Sequence, residues 1–181
     1  MKLEGQVRIP SGCAIAAVIS KEGKRMSGEM ITNAMKPMHD RSNGLGGGFA
    51  AYGIYPDYKD FYAFHMLYES KEARTATEAF FDTRFECEKQ EVIPTDDVKS
   101  IKHAPLIWRY FLKPDPVALL RSELDEDEYV MRCVFHINSN IPGAFVASSG
   151  KNMGAFKGVG YPEEIGEFYR ITDYKAWLWT A

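Results

Sequence analysis

The hydrophobic and polar positions of this chain form short apolar runs separated by polar turns and helical patterns. The opening run at 14–19 is small, apolar and partly β-branched, which is typical of a buried strand. A helical face follows within 28–35 and is expected to end before Pro37. Glycines at 44–48 then lead into an apolar run at 49–55, which predicts a central strand.

The pattern divides the chain into 1–57, 58–141 and 142–181. Its middle part predicts strand, helix, strand, strand and helix, followed by a segment at 130–137 that fits either helix or strand. We interpret 58–141 as an inserted α+β subdomain. The predicted elements of this part lie at 61–68, 70–81, 87–94, 105–112 and from Asp115 onward.

The last part of the chain is again rich in strand patterns. Two short segments at 143–149 and 155–160 flank a glycine-containing turn and predict a hairpin. A short helix opened by Pro162 follows, and 174–181 has the composition of a core strand. Because a buried strand usually continues into a turn, the pattern predicts a domain that is incomplete at its C-terminus.

Composition narrows the class of protein. Hydrophobic content of 45%, charged content of 26% and a net charge of -3 are typical of a soluble globular protein and argue against a nucleic-acid partner. The first eight residues lack the apolar core of a secretory signal, and no run approaches a membrane span. The sequence therefore predicts a cytoplasmic protein without a membrane partner.

The cysteines and histidines indicate no metal site. Cys13, Cys87 and Cys133 are odd in number and widely spaced, so neither a disulfide framework nor a zinc knuckle is predicted. The four histidines form no His-x-x-x-His pair. We interpret Cys87 and Cys133, which lie in amphipathic segments, as small buried side chains.

Cys13 stands directly before the first apolar run and is the candidate catalytic residue. If the leader 1–12 were removed, Cys13 would carry a free α-amine beside its thiol. The thiolate is the attacking form of cysteine, and an amine with a pKa of about 7.7–8.0 can accept its proton near neutral pH. The competing interpretation is a core cysteine, since a lone cysteine beside a strand is usually buried.

The glycine-rich segment 44–48 has two further interpretations. A phosphate-binding loop is disfavoured, because Walker and dinucleotide loops lead into a helix whereas these glycines open a strand. Close backbone packing beside a site is preferred. A nucleotide-binding module would require that a nucleotide raise the melting temperature, and we expect none to do so.

Five blocks stand in order along the chain and together carry a resemblance. They are Ser11-Gly12-Cys13, Arg41–Gly53, Ser148–Asn152, Phe156–Glu163 and Trp177–Ala181. In this order they resemble class II glutamine amidotransferases, above all the glutaminase domain of the archaeal-type glutamate synthase large subunit. The likeness covers nearly the whole chain.

The resemblance implies a partial N-terminal-nucleophile hydrolase with a layered α/β/β/α core. It implies that Cys13, freed by loss of the leader, attacks the side-chain amide of glutamine and forms a γ-glutamyl thioester while ammonia leaves. Other glutamate synthase subunits, which hold FMN and iron–sulfur clusters, would use the ammonia. No cofactor is expected in this chain.

One departure from the family weakens the expected activity. A His-Gly-Arg segment that grips the substrate carboxylate and an Asn-Gly oxyanion pair would lie beyond Ala181, and Asn43-Gly44 is not taken as that pair. Loss of one oxyanion donor costs on the order of 2.7–4 kcal/mol of transition-state stabilisation. We therefore expect a feeble or inactive isolated chain, and the alternative function is a non-catalytic interaction or scaffold subunit that keeps its leader.

Overall fold

The computed structural model describes residues 13–181, so the leader at 1–12 lies outside the described residues. Within them the fold is α+β, as predicted, and its sheets are antiparallel. The strands are β1 (Ala17–Ile19), β2 (Met26–Ser27), β3 (Gly47–Tyr52), β4 (Tyr62–Tyr68), β5 (Phe85–Val92), β6 (Leu106–Pro114), β7 (Ala144–Ser148), β8 (Met153–Gly158), β9 (Lys175–Ala176) and β10 (Leu178–Thr180). The helices are α1 (Glu29–Met35), α2 (Lys71–Asp82), α3 (Pro116–Ser122), α4 (Glu126–Asn140) and α5 (Pro162–Phe168), and 3-10 turns lie at Lys36–Arg41, Pro56–Tyr58 and Ile171–Asp173.

Helix starts follow from side chains that the sequence supplies. Ser70, Asp115 and Asp125 each accept a hydrogen bond from the backbone N–H three residues on, at 3.1, 2.8 and 2.8 Å. Such N-caps satisfy donors that the first turn leaves free. The ambiguous segment 130–137 is therefore part of a helix, α4, which Asp125 opens and whose first turn is acidic.

The strands form two four-stranded sheets and a small ribbon of β2 and β9. We call the sheet of order β5-β6-β4-β7 the central sheet and the sheet of order β1-β10-β3-β8 the outer sheet. The central sheet is covered on both faces: α2 and α4 pack on one, where the Phe64 and Phe81 rings meet edge-on at 5.3 Å. Its other face places Ala63, Ile107 and Phe111 in the core that includes α1 and α5.

The outer sheet is covered on one face. Phe49 and Trp179 point from it into the core beside α1 and α5, and both are buried. None of the residues on its opposite face is buried. By register that face carries Ile15, Ala17, Ile19, Gly48, Ala50, Tyr52, Met153, Ala155, Lys157, Leu178 and Thr180.

The opening apolar run differs from its prediction as a buried strand. It forms β1, which pairs with β10 alone and lies at the edge of the outer sheet. Ile15 and Ile19 are 84% and 60% exposed. Hydrophobic composition indicated a strand here, but composition does not distinguish a strand buried on both faces from an edge strand with an open face.

The predicted hairpin in the last part of the chain is wrong. β7 pairs with β4 in the central sheet, and β8 pairs with β3 in the outer sheet. The turn between them passes from one sheet to the other, with Gly150 accepting a bond from the Ala63 N–H at 3.0 Å. Two short strands around a glycine turn are expected to pair with each other, but here each of them pairs with a strand from another part of the chain. The predicted strand at 174–181 is likewise divided, into β9 and β10.

A buried chain of hydrogen bonds joins the two sheets. His65 of β4 donates from Nδ1 to the carbonyl of Ala155 in β8 at 3.0 Å, because a carbonyl can only accept. Its Nε2 then accepts from the Tyr55 hydroxyl at 2.7 Å, which accepts from Arg109 Nη1 at 3.0 Å. Arg109 is paired with Glu91. Burial lowers the pKa of His65 to about 3, so the imidazole is neutral.

Candidate active site

Cys13 is exposed and stands just before β1, on the wall of a cleft of about 230 Å³. Four parts of the chain build this cleft: the residues before β1, the segment from α1 to the start of β3, the start of α5, and Ala181 after β10. The lining residues are Cys13, Ala14, Met35, Met38, Arg41, Ser42, Asn43, Gly46, Gly47, Gly48, Pro162 and Ala181. The structure therefore brings the predicted nucleophile to the Arg41–Gly48 block.

Backbone pairing sets the position of the segment that follows Cys13. Ala16 and Ala181 exchange two N–H···O hydrogen bonds, each of 2.9 Å, which extends the β1–β10 pairing toward the cleft. Ala14 and Ala16 pack against the core below. The thiol therefore projects from a chain segment that is held on one side by the outer sheet.

A tight turn presents the polar residues Arg41, Ser42 and Asn43 to the cleft. The Ser42 N–H donates to the His39 carbonyl at 2.9 Å. The Ser42 hydroxyl accepts from the Gly44 N–H at 3.2 Å, and the side-chain amide oxygen Oδ1 of Asn43 accepts from the Leu45 N–H at 3.0 Å. Such local side-chain to backbone bonds fix turns.

The glycines of the next segment allow a close approach of backbones. A Cβ added to Gly48 would lie 2.2 Å from the carbonyl oxygen of Phe156 in β8, a contact that a side chain cannot make without moving backbone. Gly46–Gly48 line the cleft with backbone atoms. Close backbone packing in the glycine-rich segment is confirmed at this position, and its place beside a functional site stays a prediction.

The cleft has one charged side chain among its lining residues, the guanidinium of Arg41. Methionines 35 and 38 supply apolar surface, and Ser42 and Asn43 supply hydrogen-bonding groups. A small cleft with one cation, a thiol and neutral polar groups can bind a small anionic or zwitterionic molecule and attack it.

The other two thiols are less suited to attack. Burial raises the pKa of the Cys133 thiol to about 11, as expected of a buried core cysteine. Cys87 is exposed, which contradicts its prediction as a buried side chain: it lies on β5, an edge strand of the central sheet. Desolvation of its thiol, next to Asp82 and Glu78, still raises its pKa. A raised pKa leaves less thiolate near neutral pH.

The sequence analysis singles out Cys13 and assigns no role to its neighbours in the cleft. Arg41 and Asn43 belong to a block of the resemblance in which neither has an assigned role, and the structure places both in the cleft. One sequence feature indicates such a position for Arg41 and Asn43. Both stand directly before glycines that open a strand, and a turn at that place brings side chains to the edge of the sheet.

Two searches of the described residues bear on other classes of site. Within 13–181, none of the helices has the length and apolar composition needed to cross a membrane. The same residues contain no cluster of three or more His, Cys, Asp or Glu side chains that could hold a metal ion.

Comparison with known proteins links the chain to an archaeal relative. No family model matches it. It is 46% identical over 172 residues to an uncharacterized protein of Archaeoglobus fulgidus, and the match covers 93% of this chain and 45% of the relative. The chain therefore spans less than half the length of that relative, whose name states no activity.

Proposed function

We propose that this chain is the nucleophile-bearing part of a class II glutamine amidotransferase, which hydrolyses glutamine and supplies ammonia for glutamate synthesis. The observation that carries the proposal is the exposed thiol of Cys13 in a small cleft that also holds Arg41. The ordered sequence blocks of the resemblance support the same chemistry.

The proposed reaction has two steps at Cys13. The thiolate attacks the carbonyl carbon of the glutamine side-chain amide, the C–N bond breaks, and ammonia leaves with the proton that the α-amine took from the thiol. Water then attacks the γ-glutamyl thioester, which releases glutamate and returns a proton to the sulfur. The α-amine exists only if the leader 1–12 is removed, so processing is part of the proposal.

The cleft suits a substrate of this size and charge. Its volume of about 230 Å³ lies below the range usual for larger ligands and fits an amino acid. Arg41 offers a cation to the anionic atoms of the substrate, and Ser42 and Asn43 offer polar contacts. In this proposal the oxyanion donors and the carboxylate-binding groups, together with FMN and iron–sulfur chemistry, belong to other parts of a glutamate synthase assembly.

The layering of elements supports the finer fold proposal, a partial N-terminal-nucleophile hydrolase. Helices α1 and α5 pack beside the outer sheet, whereas α2 and α4 pack on the central sheet. The helices α2 and α4, the central sheet and the outer sheet follow one another as three layers of an α/β/β/α arrangement, and the open face of the outer sheet is where the fourth layer would pack.

Covalent trapping with a diazoketone analogue of glutamine tests the proposal. We expect one adduct per chain on the peptide that contains Cys13, lost in Cys13→Ser and suppressed by glutamine but not by asparagine. Cys87→Ser is the matched control and should label normally. Modification of Cys87 or Cys133 in place of Cys13 would contradict the assignment.

The scaffold alternative is favoured by one observation, the open face of the outer sheet, because uncovered apolar faces mark interaction surfaces. Intact-mass measurement separates the two functions. Loss of residues 1–12 supports the enzyme, whereas a retained leader together with unselective labelling supports the scaffold.

A further inference from the structure

The ring of Tyr161 contacts both ends of the segment 39–44. The His39 imidazole stacks on it, with ring centroids 4.1 Å apart and planes 19° apart. At the other end, a Cβ added to Gly44 would lie 3.2 Å from Tyr161 Cε2. Gly44 also has φ +70, so a glycine here permits both the turn and the close approach. The segment therefore bends around this one aromatic ring.

The residues inside that bend share the cleft with Cys13. Arg41, Ser42 and Asn43 lie between the two contact points, and all three line the cleft. Pro162, the residue after Tyr161, lines it as well. Displacement of the Tyr161 ring would therefore act on the cleft from two sides.

A second contact holds His39 on the ring. Its Nδ1 is hydrogen bonded to Oε1 of Glu163 in the first turn of α5. The other oxygen, Oε2 of Glu163, is buried and has no hydrogen-bond partner within the described residues. The bond between His39 and Glu163 therefore joins the segment 39–44 to the first turn of α5.

We propose that Tyr161, with His39 and Glu163, forms a clasp that positions Arg41 beside Cys13. The clasp residues do not line the cleft, so they act through the segment 39–44 and are positioning residues. The inference rests on the proposed function only in assigning Arg41 a role toward substrate. The start of α5 does not depend on the stack, because the Glu164 carboxylate accepts a bond from the Tyr161 N–H at 2.8 Å.

Alkylation of Cys13 by a charged and a neutral reagent tests the clasp without glutamine. Iodoacetate carries a carboxylate and iodoacetamide does not, so the ratio of their rates at Cys13 reports the nearby guanidinium. Attraction between one guanidinium and one carboxylate in contact in water changes the alkylation rate by about fivefold. Peptide mapping reads Cys13, and Cys87 in the same sample is the internal reference.

The variants separate positioning from general packing. We expect Arg41→Gln to lower the ratio of the iodoacetate rate to the iodoacetamide rate by about fivefold. Tyr161→Leu and His39→Leu should lower this ratio equally. Tyr161→Phe should keep the wild-type ratio because the ring remains. The matched control is His136→Leu, since His136 also stacks on an aromatic ring, Phe80 at 4.6 Å, away from the cleft. It should leave the ratio unchanged.

Amide hydrogen exchange gives the second readout. In Tyr161→Leu, exchange at residues 42–45 should become at least about tenfold faster, because their turn bonds open more often. Unchanged exchange there would overturn the clasp, and so would an unchanged ratio in Tyr161→Leu when Arg41→Gln lowers it. If Arg41→Gln itself has no effect, the role of Arg41 in the proposed function fails, and exchange alone then decides the clasp.

Discussion

The central and outer sheets are both four-stranded and antiparallel, yet they are built from different residues. Strand β4 of the central sheet carries Tyr62, Phe64, Met66 and Tyr68, all buried against helices. The open face of the outer sheet is made largely of alanine, glycine and isolated larger residues, none of which is buried. One sheet supplies a packed interior, and the other presents an accessible surface.

The difference explains where the candidate chemistry lies. Cys13 and its cleft adjoin the outer sheet, and Gly47, Gly48 and Ala181 line both the cleft and a shallow depression of about 380 Å³ on the open face. A site needs groups that solvent and substrate can reach, whereas the positions of those groups need a rigid support. The central sheet gives support through the His65 hydrogen-bond chain, which ends on β8 of the outer sheet.

Truncation of a large central-sheet side chain should have the largest effect. Phe64 is fully buried between α2 and the sheet, so Phe64→Ala should lower the free energy of unfolding by roughly 3–5 kcal/mol. Urea denaturation measures the change. The matched control is Phe145→Ala on β7 of the same sheet, where the ring is 46% exposed. A loss below about 1 kcal/mol at Phe64 would contradict the central sheet as the main source of stability.

Acid should weaken the connection between the sheets. The folded pKa of His65 is about 3, and that of a histidine in an unfolded chain is about 6.5. The unfolded chain therefore binds the proton first, so the His65 contribution is complete above about pH 6.5 and is lost as the pH falls toward 3. Urea titrations between about pH 6.5 and 5 should show a free energy of unfolding that falls as the pH is lowered, with a slope from this group of about 0.7 kcal/mol per pH unit at pH 6.5 that approaches about 1.4 near pH 5.

His65→Gln tests the assignment of that slope to one residue. The variant should be less stable at neutral pH, because a buried ring and its two hydrogen bonds are lost. Its stability should nevertheless be nearly constant over the same pH range. His136→Gln, at an exposed histidine, should keep the wild-type slope. A slope that persists in His65→Gln would assign the pH dependence to other groups.

The sequence predicted the helices and strands better than it predicted which strands pair with one another. The predicted elements at 61–68, at 70–81 and from Asp115 onward are confirmed, because capping and strand composition are local properties. The pairing of β7 and β8 with strands of two different sheets was not predicted, because it depends on which distant strands offer a free edge. Cys13 is singled out from its place before a strand, whereas Arg41 is not, since its position in the cleft depends on the fold bringing 41–48 next to Cys13.

A methyl group at Gly48 should have an intermediate effect. A Cβ there would meet the Phe156 carbonyl at 2.2 Å, so Gly48→Ala must separate β3 from β8 and should cost roughly 1–3 kcal/mol. Gly46→Ala is the matched control, because its nearest neighbour would be the Gly158 carbonyl at 3.8 Å, an ordinary contact. Thermal unfolding compares them. Equal melting temperatures for the two variants would show that the close approach of β3 and β8 does not require glycine.

The smallest effect is expected on the open face of the outer sheet. Ile19 is 60% exposed, and Ile19→Ser should change the free energy of unfolding by no more than about 0.5 kcal/mol, since little apolar area is removed from the interior. The measurement should be repeated over a wide range of protein concentration. A loss above about 1 kcal/mol that grows with concentration would mean that copies of the chain cover this face in solution, and the two sheets would then differ only in what covers them.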